Sequence, residues 1–356
     1  MSRIVYLLGA GASRGRRKTD SQLLLLEKDE SNIIEGLPLV VEIPDRINFI
    51  IKQIENFVFS TEMKNTILSA RYGGLDEMRI KLIEDLHWLQ KESARHATID
   101  TFAKKLYLTK KHEEFYKVEM LLAIFFIIEQ VINKPDGRYD TFFANILDRN
   151  IQIPTNIGIL TWNYDSQFEF AYKEYFGYSY NDQRYNLNEY DVKGDFNSHF
   201  IPDNPQIIKI NGTANFRDIV KITSYDSLNE ELLVELLKRY IRFFEERNVE
   251  AYTNLSFAWD NPYLDSNTWE RILPVINDAE TLVVIGYTFP FFNRDTDREI
   301  FCHMPYLRKV YIQDPNADNL MKNIEPVMMI NLSMRNPNPT IEPIKNVDQF
   351  FLPPEL

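Results

Sequence analysis

A short apolar run that ends abruptly in polar residues constrains the fold of this chain more than any other stretch. Ile157–Thr161 has the length and composition of a buried parallel strand, and Trp162-Asn163-Tyr164-Asp165 and a helical pattern follow it. In an open α/β sheet, ligands bind just beyond the carboxyl ends of the strands. Asn163 and Asp165 therefore indicate a binding site, although Asn163 taken alone is equally typical of a helix cap.

The beginning of the chain repeats this arrangement with glycines. The strand-like run Arg3–Leu8 leads directly into Gly9-Ala10-Gly11-Ala12-Ser13. Such small residues let a backbone turn tightly and approach a phosphate group, with the start of a helix facing the anion. The spacing is not a complete G-x-G-x-x-G, so an ordinary strand-to-helix turn is the alternative interpretation.

Further apolar runs have the same character. We predict strands at Gln206–Ile210, Thr281–Ile285, Lys309–Gln313 and Val327–Ile330. The first three end in turns with polar residues or glycine, and these turns are Asn211-Gly212-Thr213, Gly286-Tyr287-Thr288 and Asp314-Pro315-Asn316. Strands with helical crossovers favour an α/β fold with a doubly wound, mostly parallel, Rossmann-like sheet.

The remaining stretches set the expected domain organisation. Apolar residues at helical spacing fill most of residues 43–150, which we interpret as an inserted helical cap. Residues 3–42 and 151–335 would form the core of a single unit spanning 1–356, with 177–205 as a long loop and 336–356 as a C-terminal tail.

Composition excludes several classes of protein. The net charge of −12 makes direct binding of nucleic acid unfavourable for the surface as a whole. A single cysteine, Cys302, excludes an internal disulfide and a multi-cysteine zinc site. The longest apolar run, Leu121–Ile128, is too short to span a membrane. We therefore expect a cytoplasmic protein without a metal cofactor.

Four short motifs in order carry a resemblance to a known family. Gly-Ala-Gly-Ala-Ser, Thr-Trp-Asn-Tyr-Asp, Lys-Ile-Asn-Gly-Thr and Ile-Gly-Tyr-Thr-Phe lie between about residues 3 and 316. This order resembles the sirtuin-like family and is most similar to its bacterial antiphage branch. The resemblance implies NAD bound across the strand ends. The pyrophosphate would lie at Gly9–Ser13, the nicotinamide and its ribose at Asn163 and Asp165, and the adenosine half at Gly286, Thr288 and Asp314.

The resemblance also implies a reaction, hydrolysis of the nicotinamide–ribose bond with NAD as the substrate, and a role in depleting NAD during phage infection. Asn163 would orient the ribose or the attacking water. Asn211 stands where the family carries its catalytic histidine, and losing a general base typically costs about 10²–10⁴-fold in rate. The resemblance therefore leaves three explanations open, namely a natural adaptation of the enzyme, a binding-only relative or an inactivated variant.

The alternatives differ in their partners. A silent subunit would bind NAD or ADP-ribose and regulate another protein, whereas a protein deacetylase is disfavoured because the zinc-binding cysteines of that branch are missing. An active hydrolase would need a switch, either homo-oligomer formation or a sensing partner. In systems that this family resembles, the partner is an Argonaute, a helicase-like ATPase or a nucleotide-sensing protein. His199 is the best-placed candidate to replace the missing histidine, although a solvated loop histidine is the favoured interpretation. Asp100 is interpreted as a helix-start residue, with a role lining the nicotinamide site as the alternative.

Overall fold

The computed structural model describes residues 3–15, 36–66, 68–69, 73–176, 187, 189–192, 206–216, 228–245, 253–259, 264–332 and 338–356. The chain divides into two compact units. The sheet unit comprises Met1–Gly36, Pro135–Thr213 and Ser256–Leu356, and the helical unit comprises Leu37–Lys134 and Ala214–Leu255.

The strands are short, as expected for buried strands in an α/β protein. In chain order they are β1 (Ile4–Leu8), β2 (Leu68–Ser69), β3 (Gly73–Gly74), β4 (Ile157–Thr161), β5 (Glu189–Asp191), β6 (Ile207–Lys209), β7 (Gly212–Phe216), β8 (Thr253–Leu255), β9 (Thr281–Ile285), β10 (Lys309–Gln313) and β11 (Thr340–Ile344). The small pairs β2–β3 and β7–β8 form separate two-stranded sheets.

The α-helices account for most of the regular structure. They are Ala10–Ser13, Ile43–Glu55, Thr61–Thr66, Leu75–Arg95, Ile99–Leu108, His112–Ile132, Gly137–Ile146, Gln167–Phe176, Glu230–Glu245, Ser266–Ile276, Arg294–Cys302 and Ala317–Leu332. Within the described residues, no helix combines the length and the apolarity that crossing a membrane requires.

The main sheet contains seven of the described strands, in the order β11-β10-β9-β1-β4-β6-β5. All of its neighbouring strands run parallel, and β1 pairs with β4 and with β9 along its whole length. Every residue of β1 is buried, which explains its continuous apolar sequence. The expected α/β fold with a parallel, Rossmann-like sheet is confirmed.

Helices cover both faces of this sheet. On the first face, Gly137–Ile146 and Gln167–Phe176 pack on a core that includes Tyr6 and Ile159. On the second face, the helices that lie after β8 pack on a core that includes Val5 and Leu160, and these helices are Ser266–Ile276, Arg294–Cys302 and Ala317–Leu332. The alternating side chains of β1 and β4 therefore serve two separate cores.

The strand order reverses at β1, which defines where a ligand can bind. The chain continues from β1 to β4 and β6 on one side, and later to β9 and β10 on the other. The helix after β4 covers the first face, whereas the helix after β9 covers the second face. In doubly wound folds, the crevice at such a reversal, outside the carboxyl ends of the strands, is the ligand-binding position.

The helical unit has a core of its own. The helix His112–Ile132 is buried over most of its circumference, as its apolar sequence predicts. Its fully buried Glu129 forms a bidentate ion pair with Arg46, with nitrogen-to-oxygen distances of 2.9 and 3.1 Å. Tyr240, on the helix Glu230–Glu245, donates to Asp85 at 2.6 Å. The unit therefore joins residues from two separate segments of the chain.

Several boundaries differ from the sequence prediction. Val327–Ile330 is not a strand, because it lies within the helix Ala317–Leu332. The buried residues Leu320, Ile324, Val327 and Met328 of this helix keep helical spacing. The predicted tail contains β11, and the predicted loop 177–205 contains β5. These two are the outermost strands of the main sheet, one on each side. The rest of that loop, apart from residues 187 and 192, lies outside the described residues.

The division into units also differs from the predicted cap. The helix Gly137–Ile146 falls within residues 43–150, yet it belongs to the sheet unit because Phe142 and Phe143 pack into the sheet core. Residues 214–255, which we assigned to the core, belong to the helical unit. Apolar periodicity shows that a helix has a buried face, but it does not identify the surface that covers this face.

Candidate functional site

The carboxyl ends of five parallel strands place the predicted site residues at one edge of the sheet. Gly9 follows β1, Asn163 lies two residues beyond β4, and Asn211 lies two residues beyond β6. Gly286 and Asp314 follow β9 and β10 directly. Hydrogen bonds from Asn163 to Gly9 and from Asn211 to Trp162 connect the neighbouring strand ends.

The side chain of Asn163 is buried and held by the glycine turn. Its Nδ2 donates to the carbonyl of Gly9 at 2.9 Å and to Oγ of Ser13 at 3.0 Å. No described residue donates to its Oδ1, and this oxygen retains access to solvent. The neighbouring atoms thus fix the amide with its nitrogen inward and leave an acceptor open at the strand end. A helix-cap role alone does not explain this orientation.

Asn211 is oriented in the same way on the next strand. Its Nδ2 donates to the carbonyl of Trp162 at 3.3 Å, and its backbone carbonyl accepts from the Ser256 amide at 3.0 Å. Among the described residues, none donates to Asn211 Oδ1, which also retains solvent access. Because Trp162 precedes Asn163, the two asparagine side chains occupy adjacent positions at the sheet edge. Both present an amide oxygen, which accepts hydrogen bonds but does not take up a proton at neutral pH.

Ser13 connects Asn163 to a buried carboxyl group. Tyr139 lies 2.9 Å from Ser13 Oγ, and Ser13 also hydrogen-bonds the Asp165 side chain. Burial raises the pKa of Asp165, while the charge of Lys209 and the Ser13 hydrogen bond oppose this shift. Asp165 is therefore connected to the Asn163 side chain through the hydroxyl group of Ser13.

A buried ion pair lies at the end of β6. Lys209, which is 1% exposed, donates to Glu169 Oε1 at 2.6 Å and to the carbonyl of Asp165. Burial raises the pKa of Glu169; Lys209 opposes the shift, and the charge of Glu189 adds to it. Removing one member would leave an uncompensated charge in the core, so this pair fixes the chain just before Asn211.

The glycines of the first turn are required by backbone packing. A Cβ atom at Gly9 would lie 2.7 Å from the carbonyl oxygen of Gly286, and one at Gly11 would lie 2.7 Å from the Cα of Gly286. Gly286 itself has φ of +59°, in the left-handed region that favours glycine. The turns after β1 and β9 are therefore in direct contact. Small residues at these positions follow from this contact whether or not a phosphate binds.

The amide groups of the turn are also used internally. The backbone N–H of Gly9 donates to the carbonyl of Ile285, and the N–H of Gly11 donates to the carbonyl of Gly286. The N–H of Ala12 donates to the carbonyl of Gly9. On the other side, Arg138 donates from Nη2 to the carbonyls of Gly11 and Ala12 at 3.0 and 3.1 Å. The amides of Gly9, Gly11 and Ala12 are therefore not available to an anion. An anion at this turn would contact it at Ala10, which is exposed.

Of the three residues expected at the adenosine half, Gly286 packs against the first glycine turn, whereas Thr288 and Asp314 are accessible. Thr288 is exposed, and its carbonyl accepts from Asn323 Nδ2 at 3.3 Å. Asp314 is partly exposed, and its Oδ1 accepts from the amide of Asn316 at 2.8 Å. Thr288 and Asp314 therefore lie at the carboxyl ends of β9 and β10, where solvent or a ligand can reach them.

Sequence patterns did not identify a second buried carboxyl group beneath the site. Tyr287 stacks on Trp162, with ring centroids 6.0 Å apart, and donates from its hydroxyl to Asp297 Oδ2 at 2.8 Å. Burial raises the pKa of Asp297 to about 8, although Tyr287 and the indole N–H of Trp162 lower it. That N–H and Asp297 Oδ1 are both buried without a hydrogen-bond partner of normal geometry. The one sequence signal for its burial is that Asp297 shares a helix face with the apolar residues Ile300 and Phe301.

Two further residues were singled out in the sequence, Asp100 and His199. Asp100 lies in the first turn of the helix Ile99–Leu108, whose N-cap Thr98 accepts from the Thr101 amide, so its position at a helix start is confirmed. Although part of Asp100 reaches solvent, surrounding protein atoms desolvate its carboxyl group and raise the pKa to about 6. His199 lies outside the described residues. Among the described residues, no group of three or more acidic, histidine or cysteine side chains could hold a metal ion.

Comparison with known proteins adds no assignment. No protein family model matches the chain, and no match is found among curated proteins.

Proposed function

We propose that the chain is a sirtuin-like NAD⁺ glycohydrolase, which cleaves NAD⁺ to nicotinamide and ADP-ribose and depletes NAD in bacterial antiphage defence. The observation that carries the proposal is the pair of asparagine side chains at the carboxyl ends of β4 and β6, beside the reversal of strand order at β1. Asn163 and Asn211 both have their amide nitrogens fixed and their amide oxygens open. Dinucleotides bind at this position in doubly wound sheets.

The chemistry of the reaction suits two fixed acceptors. Nicotinamide is cationic while bonded to the ribose, so it leaves without a general acid. The site must then stabilise an oxocarbenium-like ribose and position a water molecule. An amide oxygen at Asn163 can accept a hydrogen bond from that water or from a ribose hydroxyl, and its fixed orientation removes the need for rearrangement during the reaction. Asn211 would hold the ribose from the neighbouring strand.

One observation favours a second function, that of a silent subunit which binds NAD or ADP-ribose. Neither asparagine oxygen receives a hydrogen bond from a described titratable group, and Asp165 reaches Asn163 only through Ser13. An asparagine cannot take up the proton that an imidazole would accept. In this alternative, the site would bind the dinucleotide without turning it over.

We further propose that activity depends on a larger assembly, either a homo-oligomer or a complex with a sensing partner. An unregulated NAD hydrolase would deplete the cell that makes it. The alternatives for the partner are those that the resemblance implies, namely an Argonaute, an ATPase or a nucleotide-sensing protein.

Nicotinamide release by the chain in its activating assembly tests the proposal. We expect Asn163→Ala to abolish release while ADP-ribose binding stays within about threefold, because Asn163 acts mainly in the transition state. Asn145→Ala is a matched control, since Asn145 is an exposed residue on the helix Gly137–Ile146. Undiminished release from Asn163→Ala would remove the catalytic assignment.

Asn211→His separates the two functions. If Asn211 has replaced a general base, the histidine should raise turnover by up to about 10²–10⁴-fold. If Asn211 is a native adaptation, the same change should be neutral or harmful. No release from any form, with ADP-ribose binding retained, would support the silent subunit.

A further inference from the structure

An exposed aromatic residue lies in the loop that follows β9. Phe291 is 74% exposed, whereas Tyr287 and Phe289 in the same loop are buried. A single exposed apolar side chain is ordinary on a protein surface, so its meaning depends on the groups around it. Here the neighbouring group is a cation.

Arg294 places its guanidinium over the Phe291 ring, with Cζ 5.0 Å from the ring centroid. Its Nε is buried and has no hydrogen-bond partner. Arg294 also forms no ion pair with any described residue. The terminal Nη1 and Nη2 also have no hydrogen-bond partner among the described residues, and they are not buried. A planar guanidinium with two such terminal donors suits a phosphate group, which can accept two parallel hydrogen bonds.

The loop after β9 has an unusual backbone conformation at one residue and packs against the first glycine turn. Phe289 has φ of +53°, and such a value is unusual for a bulky residue and is often found at functional sites. Buried Asn293 interacts with the hydroxyl of Tyr287, and a Cβ at Gly9 would meet the Cα of Tyr287 at 2.7 Å. The loop therefore remains next to the first glycine turn, at the edge that carries Asn163.

The positions of the strands give the separation between the carboxyl ends of β4 and β9, which have β1 between them. Two strand spacings correspond to about 10 Å. Asn163 lies two residues beyond β4, and Phe291 lies in the loop that follows β9. A dinucleotide with one ribose at Asn163 would thus extend past the exposed end of the first turn toward Phe291.

We propose that Phe291 and Arg294 form a subsite for the adenine nucleotide half of the ligand. The exposed face of Phe291 would stack on the base, and the guanidinium of Arg294 would bind a phosphate. This inference rests on the proposed function for the orientation of the dinucleotide. It adds residues that lie outside the motifs of the sequence resemblance.

Calorimetry on the full chain with adenosine, AMP and ADP-ribose tests the subsite. Phe291→Ala should weaken all three ligands by about tenfold, because aromatic stacking acts on the base in each. Arg294→Gln should weaken AMP and ADP-ribose by at least about tenfold and adenosine by less than about twofold, since adenosine lacks a phosphate.

The chain offers a matched control pair at the opposite edge of the sheet. Tyr306 is 60% exposed, the Arg308 side chain is 76% exposed, and both precede β10. Tyr306→Ala and Arg308→Gln should leave the three affinities unchanged. Thermal unfolding of all four variants checks that the fold is retained, as expected for exposed and partly exposed positions.

The outcomes separate this subsite from the proposed reaction. Unchanged AMP and ADP-ribose affinities in Phe291→Ala and Arg294→Gln would overturn the subsite even if nicotinamide is released. Selective loss of affinity in these variants would support the subsite even if no form releases nicotinamide. Equal losses in the control pair, or no binding of any of the three ligands by the folded chain, would also overturn it.

Discussion

The orientation of an asparagine side chain can be assigned only from its neighbours, and at this site the neighbours are carbonyl groups. A carbonyl oxygen accepts hydrogen bonds and donates none, so the atom of Asn163 that faces Gly9 must be the nitrogen. The same argument applies to Asn211 beside Trp162. Each open atom is consequently an oxygen, which limits its ligands to donors such as water and ribose hydroxyls.

Asp297 gives a prediction about stability and pH. Its pKa is raised to about 8 in the folded chain, so between pH 4 and 8 the folded state holds a proton that the unfolded chain releases. The stability from this proton is complete below the ordinary pKa near 4 and is lost as the pH rises through 8. Asp297→Asn should remove this dependence, because the amide remains neutral while still able to accept from Tyr287.

Urea unfolding from pH 5 to 8 measures the effect. The free energy of unfolding of Asp297→Asn, relative to that of the unmodified chain, should rise by up to about 1.4 kcal/mol per pH unit. Asp295→Asn is the control, because the Asp295 side chain on the same helix is 75% exposed. A difference that does not vary with pH would contradict a neutral, buried Asp297.

The pair Lys209 and Glu169 gives a second prediction at the residue scale. Lys209→Met should lower the free energy of unfolding by about 3–5 kcal/mol, because it leaves the buried Glu169 without its partner. Replacing both residues, as Lys209→Met with Glu169→Leu, should recover much of this loss. Urea unfolding of the single and double variants measures the coupling, and simple additivity would show that the pair does not interact as described.

At the scale of elements, the contact between the turns after β1 and β9 holds the site together. Gly286→Ala should destabilise the fold by more than about 3 kcal/mol, because φ is +59° and the new Cβ would lie 2.4 Å from backbone atoms of Gly11 and Ala12. Gly137→Ala is the matched control, since no atom lies within 4 Å of its added Cβ. Thermal unfolding compares the two, and equal stabilities would disprove the packing argument.

The sequence predicted those elements whose apolar pattern is complete within one stretch. β1, β4, β9 and β10 occur at their predicted positions because both faces of a central parallel strand are buried. β11 was not predicted, since Thr340 and Glu342 are exposed and Pro343 is typical of an edge strand. Val327–Ile330 was assigned to a strand because a short apolar run fits a strand or a helix equally well.

The candidate site was predictable in its location and not in its detail. Polar and glycine residues after strands identified the edge that carries Asn163 and Asn211. The hydrogen bond from Asn163 to Gly9 joins residues 154 positions apart, and a local sequence pattern cannot predict a contact between such distant residues. The same reason hid the role of Asp297, whose burial depends on how its helix packs against Trp162 and Tyr287.

At the scale of the whole molecule, the chain enters the helical unit twice, at Leu37–Lys134 and at Ala214–Leu255. The sequence predicted a single insertion, because the second segment contributes one long helix whose apolar face does not reveal its partner. That face includes Leu233, Leu237 and Tyr240, which are buried. The second segment therefore contributes to the core of the helical unit from a distant part of the chain, as the hydrogen bond from Tyr240 to Asp85 shows.

The last prediction concerns the whole chain and its assembly, and it follows from the proposed function. We expect purified chain at low concentration to release nicotinamide at less than about 1% of the rate that it reaches in the activating assembly, a factor that corresponds to about 2.7 kcal/mol of activation barrier. Neither asparagine oxygen is hydrogen-bonded to a described proton acceptor, and under the proposed function the assembly would supply the missing group or rearrangement. Nicotinamide release is measured across a concentration series with the oligomeric state recorded at each point, and again with a co-purified partner.

Asn163→Ala, carried through the same series, should release no nicotinamide in any oligomeric state. Full turnover by a dilute and demonstrably monomeric sample would contradict control by assembly while leaving the assignment of Asn163 intact.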